Sequence, residues 1–314
     1  MKLFEHKDFE QAILAAEDHF KDRGLKATVV EKDYYVTEAL RIVAAAAGDK
    51  VIFKGGTSLS KGWNLIQRFS EDVDVFYEPS ERSKRVIDRE VKELSARVQA
   101  HPALTFVEKQ TSGGFGRKDT YSYEQRFGGV AAISNRVLLE IGAASGKEPV
   151  QKMLLRSYIA EFLNDTGTSL GAEDEAAFEM SLLHFRRTFV EKLFAIHDKV
   201  ELYKSTGRPI GSYARHYYDL SQLAKTEDVR VMLGSPEMAE IKADYDKISR
   251  EFFGKNYNPP EGLSFAASEA IFPPKALAQT LGAQYEEQCK TLCYGAYPKW
   301  DEVLAAFEAF KDKL

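Results

Sequence analysis

The chain has 314 residues and a formal net charge of −5; 44% of its residues are hydrophobic and 29% charged. These proportions exclude wholesale disorder, a collagen-like repeat and a small disulfide scaffold. The acidic balance argues against indiscriminate nucleic-acid binding and leaves room for a local basic surface.

At roughly 100–200 residues per domain, the length suits two domains or one large one. The opening residues, Met1 to Asp8, are charged throughout and are not expected to form a signal peptide. The small-apolar run Ile42–Gly48 is far shorter than the roughly 20 residues of a membrane span. A cytoplasmic protein without membrane contact is therefore expected. Cys289 and Cys293 stand at i,i+4 spacing with no second Cys pair, which suits reduced thiols better than zinc.

In chain order, Phe9, Ile13, Leu14 and Phe20 predict an amphipathic helix, and Glu31–Ala47 predicts a second. Val51-Ile52-Phe53 reads as a buried strand that ends in a Gly55-Gly56 turn, with a helix following over Ser58–Ile66. Val73, Val75 and Tyr77 alternate with Asp72, Asp74 and Phe76, which is strand spacing. Glu81–Gln99 predicts a charged helix with Val86, Leu94 and Val98 inward. Strands are expected over Leu104–Val107, Thr120–Phe127 and Val137–Ile141, with Gly113–Gly116 as a turn.

From about Lys152 the pattern becomes helical. Phe185, Phe189, Leu193, Ile196, Val200 and Tyr203 form a core-facing stripe, and Ser212–Ala224, Met238–Phe253, Lys275–Thr291 and Asp301–Lys313 read as further helices. An α/β domain over 1–148 and an α-helical domain over 149–314 are expected.

Gly56–Lys61 is not a P-loop, because Ser60 stands where a Walker A loop needs Gly. Gly114-Phe115-Gly116 is not a dinucleotide fingerprint, because Asp119 stands where the third Gly belongs.

The informative stretch is Phe53-Lys54-Gly55-Gly56-Thr57-Ser58, followed by Arg68-Phe69-Ser70-Glu71-Asp72-Val73-Asp74. Asp72 and Asp74 lie two apart on a strand, so both carboxylates point to one face. Like charges about 6–7 Å apart repel unless a cation sits between them. Mg²⁺ suits this, being a hard cation that takes one or two carboxylates together with phosphates. The glycines let the backbone approach a bulky anion, and the helix after them would aim N–H groups, with the Thr57 and Ser58 hydroxyls, at it. A triphosphate and two metals would meet there, the geometry of nucleotidyl transfer. Glu140, a lone acid in the apolar strand Val137–Ile141, is the candidate third metal carboxylate.

Gly-Gly-Thr-x-Leu followed by Arg-x-Ser-Glu-Asp-x-Asp resembles the AbiEii/MenT-type nucleotidyltransferases, the toxins of type IV toxin–antitoxin systems. The resemblance extends to Glu31-Lys32-Asp33-Tyr34, to Glu191-Lys192-Leu193 and to Arg215-His216-Tyr217-Tyr218-Asp219-Leu220, where His216 replaces an Asp of the family motif. It implies an α/β (α+β) fold: a polymerase-β-like core with a mixed sheet, and a C-terminal α-helical domain closing a cleft.

The resemblance also implies roles. Asp72, Asp74 and Glu140 would hold Mg²⁺, and Asp74 with Glu140 would help activate the attacking hydroxyl. Gly55, Gly56, Thr57, Ser58, Lys61, Arg68 and Ser70 would bind the nucleotide, and Lys192 would reach the triphosphate. Asp219 would pair with Lys192 or Arg215, or serve packing beside Tyr217 and Tyr218. The implied reaction transfers NMP from an NTP to an RNA acceptor, the tRNA 3′ end, and a cognate antitoxin protein opposes it. The alternatives are a protein or small-molecule acceptor, and a non-catalytic nucleotide- or partner-binding module.

Between Arg186 and Arg215 stand seven basic residues against three acids, a segment of +4 in a chain of −5. Such a surface is expected to track RNA phosphates.

Overall fold

A computed structural model of the chain describes residues 1–70, 72–79, 83–112, 116–128, 133–254 and 257–314. The chain forms two compact units. One comprises Met1–Asn64 and Phe69–Leu183, the other Leu65–Arg68 and His184–Leu314.

In the first unit, α1 (Phe9–His19) and α2 (Ala27–Ala47) precede β1 (Val51–Lys54), α3 (Gly55–Lys61) and β2 (Asp72–Tyr77). Then come α4 (Lys84–Gln99), β3 (Thr105–Ser112), β4 (Gly116–Ser122), β5 (Arg136–Gly142), β6 (Val150–Leu155), α5 (Tyr158–Asp165) and β7 (Phe178–Leu183). The strands form one mixed sheet in the order β3-β4-β5-β2-β1-β7-β6. The β2–β5 and β1–β7 pairs are parallel and the others antiparallel.

Alternation along the strands sorts the two faces. Val51, Phe53, Val73, Val75, Val137, Leu139 and Ile141 share one face and are buried. The helices cover that face. Ser95 of α4 hydrogen-bonds Asp119, Tyr77 donates to Glu90 of α4 (2.5 Å), and Tyr35 of α2 stacks on Tyr123 at 4.1 Å. Burying each Val, Leu or Ile contributes roughly 1.5–3 kcal/mol. Slipping β2 by one residue would expose Val73 and Val75 and push Asp72 and Asp74 into the apolar layer. The packing of one face thus fixes the acids on the other.

Several elements differ from expectation. The helix after β1 begins at Gly55 itself and ends at Lys61, so the glycines are its first residues rather than a separate turn. In α1 it is Phe9, Ala12, Ile13 and Ala16 that are buried, and Leu14 is exposed. In α4, Ile87 and Val91 face inward with Leu94 and Val98, while Val86 is only half-buried. The expected turn at 113–115, the first residues of the Glu81–Gln99 helix and Glu71 lie outside the described residues.

The boundary expected at 148/149 falls inside the first unit, because β6 and β7 complete the sheet. β6 is an edge strand with Val150, Gln151 and Leu154 exposed, so it lacks the apolar alternation that marks a strand in sequence. β7 runs straight into the apolar stripe of the next helix, which masks its period.

The second unit contains α6 (Phe185–Thr206), α7 (Arg215–Leu223), α8 (Glu227–Leu233), α9 (Pro236–Phe253), α10 (Lys275–Leu292) and α11 (Trp300–Glu308). The predicted α6 stripe is buried at Phe185, Phe189, Leu193, Ile196 and Val200, and half-buried at Tyr203. Tyr217 of α7 packs edge-on to Trp300 at 4.9 Å and donates to the Ala270 carbonyl.

Leu65–Arg68 belongs here because its backbone is tied to this unit. Gln67 N–H donates to the Tyr218 hydroxyl (2.9 Å), Tyr294 N–H donates to the Gln67 carbonyl (3.1 Å), and Arg68 bridges Cys293. Both cysteines are free thiols, as their isolation in the sequence suggested. Among the described residues, no helix is long and apolar enough to cross a membrane.

Candidate active site

The β-register sets a line of charged side chains across one face of the first unit's sheet. Lys54 of β1 stands opposite Asp74 of β2, Asp74 opposite Glu140 of β5, and Glu140 opposite Lys118 of β4. Asp72 lies on the same face two residues from Asp74. The face therefore carries three carboxylates with a lysine on each flank, all of them half-buried.

Glu140 is held by Lys118, with 2.5 Å between Nζ and Oε2. Burial opposes the Lys118 ammonium, but Glu140, and then Asp72 and Asp74, hold its pKa above the ordinary lysine value. Lys54 donates to the Ser145 hydroxyl at 2.6 Å. Neither lysine was expected at the site. Lys54 adjoins the glycine motif in sequence, so strand alternation opposite Phe53 could have found it. Lys118 becomes visible only through the pairing of β4 with β5.

Gly55 closes the other side. Its φ is +76°, in the left-handed region that favours glycine, and a Cβ there would lie 2.1 Å from Asp74 Oδ2. α3 can leave β1 at this angle only because no side chain intervenes. Thr57 donates its hydroxyl to the Asp72 carbonyl (2.5 Å), and Ser58 donates back to the Gly55 carbonyl (2.9 Å). These hydroxyls, expected to face phosphates, instead tie α3 to the start of β2 and to its own first turn. Gly56 and Ser70 are buried.

Gly55→Ala tests this contact. The left-handed backbone costs about 1–2 kcal/mol in stability. The Cβ must also turn the Asp74 carboxylate away, so the expected loss of activity, about tenfold or more, exceeds what the stability loss explains. Denaturation curves and turnover measured on the same preparation check this.

Two expected nucleotide contacts have protein partners of their own. Lys61 is half-buried as a residue, with its side chain 4% exposed, and donates to Asp33 (2.7 Å) and to the Arg156 carbonyl (2.9 Å). Its position at the far end of α3 directs it into the protein. Arg68 belongs to the second unit, where its guanidinium grips Asp219 in a fork, Nε to Oδ1 at 2.6 Å and Nη2 to Oδ2 at 2.7 Å.

Lys192 and Asp219 are together in the second unit. Lys192 Nζ lies 2.8 Å from Asp219 Oδ2 and 3.1 Å from His216 Nδ1. Of the partners foreseen for Asp219, Lys192 is in contact with it, and Arg68 is a partner that sequence reasoning missed. Burial would raise the Asp219 pKa, but Arg68 and Lys192 outweigh it and hold the carboxyl well below the usual range. Burial lowers the Lys192 pKa despite Asp219. Burial, then the Lys192 charge, push His216 down to about 3. His216 is therefore neutral at pH 7, and its Nδ1 accepts from the Lys192 ammonium.

Besides Lys192, four of the seven cations of the +4 segment are paired with acids on or near α6. Its cations meet acids, several from outside the segment: Arg186 meets Glu237 and Asp228, Arg187 meets Asp244, and Lys204 meets Glu269 as well as Glu201. Lys199 pairs with Asp198. A charge sum over a segment misses acids that the fold brings in from elsewhere.

Among the described residues, no group of three or more His, Cys, Asp or Glu is gathered closely enough to hold a metal. The donor chemistry nevertheless fits a hard divalent cation. Three carboxylates share one half-exposed face, and a cation, the Lys118 ammonium, already lies against one of them.

A family model described as "Nucleotidyl transferase AbiEii toxin, Type IV TA system" matches residues 38–306. No curated protein matches the chain. A crystal structure of an H. pylori protein provisionally assigned as a nucleotidyltransferase aligns with 89% of this chain and 94% of its own. The TM-score is 0.41 and the identity 15%.

Proposed function

Because the chain belongs to the AbiEii nucleotidyltransferase toxin family of type IV toxin–antitoxin systems, we propose that it transfers NMP from an NTP to the 3′ end of tRNA in a Mg²⁺-dependent reaction. The family itself implies an NTP substrate and an antitoxin partner. As a toxin acting in the cytoplasm, the enzyme would block aminoacylation, and with it translation and growth.

The observation that carries this reading is the placement of Asp72, Asp74 and Glu140 on one face beside Gly55. Asp72 and Asp74 would hold the ion, which when bound supplies charge neutralisation at the reacting phosphate. Asp74 with Glu140 would help activate the attacking 3′-hydroxyl, one of the two carboxylates taking its single proton. The hydroxyl oxygen forms a bond to the α-phosphorus as the bond to the leaving pyrophosphate breaks. The first main-chain N–H groups of α3, unused within the helix, would meet the β- and γ-phosphates. The Thr57 and Ser58 hydroxyls act indirectly, by holding that turn in place.

A protein or small-molecule acceptor is the second reading. The pairing of several α6 cations with acids favours it, because it offsets part of the charge expected to track RNA.

The test is growth and labelling together. Expressed without its antitoxin, the wild-type chain is expected to slow growth, and the Asp72→Ala form is not. Lysates should carry label from NTP in the RNA fraction. Label confined to protein or small molecules would select the second reading, and equal growth of the two strains would count against the toxin role.

A further inference from the structure

Lys192 is held within the second unit by two groups of different charge. Its Nζ lies 2.8 Å from Asp219 Oδ2 and 3.1 Å from His216 Nδ1. His216 and Asp219 stand three apart on α7 and so share one face of that helix. An ammonium can only donate, so Nδ1 accepts, and the hydrogen of the neutral ring sits on Nε2. Burial, and then the Lys192 charge, keep that ring neutral at pH 7. Nδ1 and Oδ2 are thus two acceptors 3.6 Å apart with the ammonium against both. Tyr213 lies edge-on to the His216 ring at 5.5 Å and helps to fix its plane.

The two holds on Nζ do different work. Asp219 Oδ2 supplies charge but shares it, since Arg68 Nη2 donates to the same oxygen at 2.7 Å. His216 supplies direction and no charge. Of the three ammonium donors, two meet these acceptors among the described residues, and one remains for an acceptor from outside the protein. A carboxylate at position 216 would orient Nζ as well. It would also add a negative charge where Nδ1 now lies, weakening the pull of the ammonium on any anion, whatever other charges surround the pair.

Resting on the nucleotidyltransferase reading above, with Lys192 as the contact to the triphosphate that the family resemblance implies, we propose that His216 is a positioning residue that orients the Lys192 ammonium without neutralising it. It thereby sets the affinity for the polyphosphate of the nucleotide. The acid that the family motif carries at this position gives the same orientation with a weaker grip.

Asn and Asp separate orientation from charge, because each can place an oxygen where Nδ1 lies and only Asp is ionised. The experiment is a calorimetric titration of the full chain with inorganic tripolyphosphate in the presence of Mg²⁺, a probe that has no base and undergoes no transfer. His216→Asn should bind it within about threefold of wild type, and His216→Asp at least about tenfold more weakly. His216→Leu, which loses the acceptor and adds no charge, should fall between them. Lys192→Met should lose at least as much as His216→Asp. Circular dichroism melting establishes which variants fold, and the order of Asn and Leu decides the matter if His216→Asp does not.

Wild-type affinity in His216→Asp or in His216→Leu would overturn the proposal, as would equal losses in His216→Asn and His216→Asp. Wild-type affinity in Lys192→Met would overturn it too, since Lys192 would then make no contact with the polyphosphate. A wild-type chain that neither binds the probe nor transfers label from any NTP would instead overturn the reading on which it rests. The wild-type isotherm thus tells the two failures apart.

Discussion

Asp74→Asn is expected to lower nucleotidyl transfer by at least about 10³-fold, on the order of 4 kcal/mol of transition-state stabilisation. Asp74 occupies the centre of the charged row. It stands between Lys54 and Glu140 across the strands, shares its face with Asp72, and is the carboxylate against which Gly55 is packed. Asn preserves shape and the contact with Gly55 while removing the charge. The fold should therefore persist, and relief of repulsion from Asp72 and Glu140 should leave the melting temperature unchanged or slightly higher. A variant that keeps turnover within tenfold of wild type would remove Asp74 from the chemistry.

Asp219→Asn is expected to have the largest effect on stability, about 3–5 kcal/mol. Asp219 is fully buried and is the carboxylate gripped by both Arg68 and Lys192. Removing its charge leaves two cations buried, and neutral His216 offers only one acceptor nitrogen. The two tryptophans make the effect readable, since Trp63 lies in the first unit and Trp300 in the second. In a Trp63→Phe background, urea unfolding followed by Trp300 fluorescence should show the loss. Adding Lys192→Met to Asp219→Asn should recover part of it, because one of the stranded charges is then gone. A loss below about 1 kcal/mol, or no recovery in the double variant, would show that the cluster does not hold the second unit together.

The parts of the site that were legible in sequence are those that depend on short-range pattern. The Asp72/Asp74 spacing needs only the alternation of one strand, and Val73 and Val75 mark its buried face. The glycines before Thr57 announce a close backbone approach, and the structure supplies its object, the Asp74 carboxylate. Glu140 was visible as an acid in an apolar strand in need of a partner, but the partner is Lys118, on a neighbouring strand.

Long-range pairing hid the rest. Arg68 sits a few residues from the acids in sequence, yet its backbone is tied to Cys293 and its side chain to Asp219. The cations of α6 look unbalanced until Glu237, Asp244 and Glu269 arrive from later helices. β6 and β7 were assigned to the helical domain because an exposed edge strand and a strand fused to a helical stripe both lack a clean two-residue period.

The most direct measurement is incubation of the purified chain with total tRNA, Mg²⁺ and each labelled NTP in turn, beside the Asp74→Asn form. Label from an NTP is expected at the tRNA 3′ end with wild type and not with Asp74→Asn. Equal labelling by the two proteins, or no transfer from any NTP by wild type, would contradict the assignment of the Asp72/Asp74/Glu140 face as the active site.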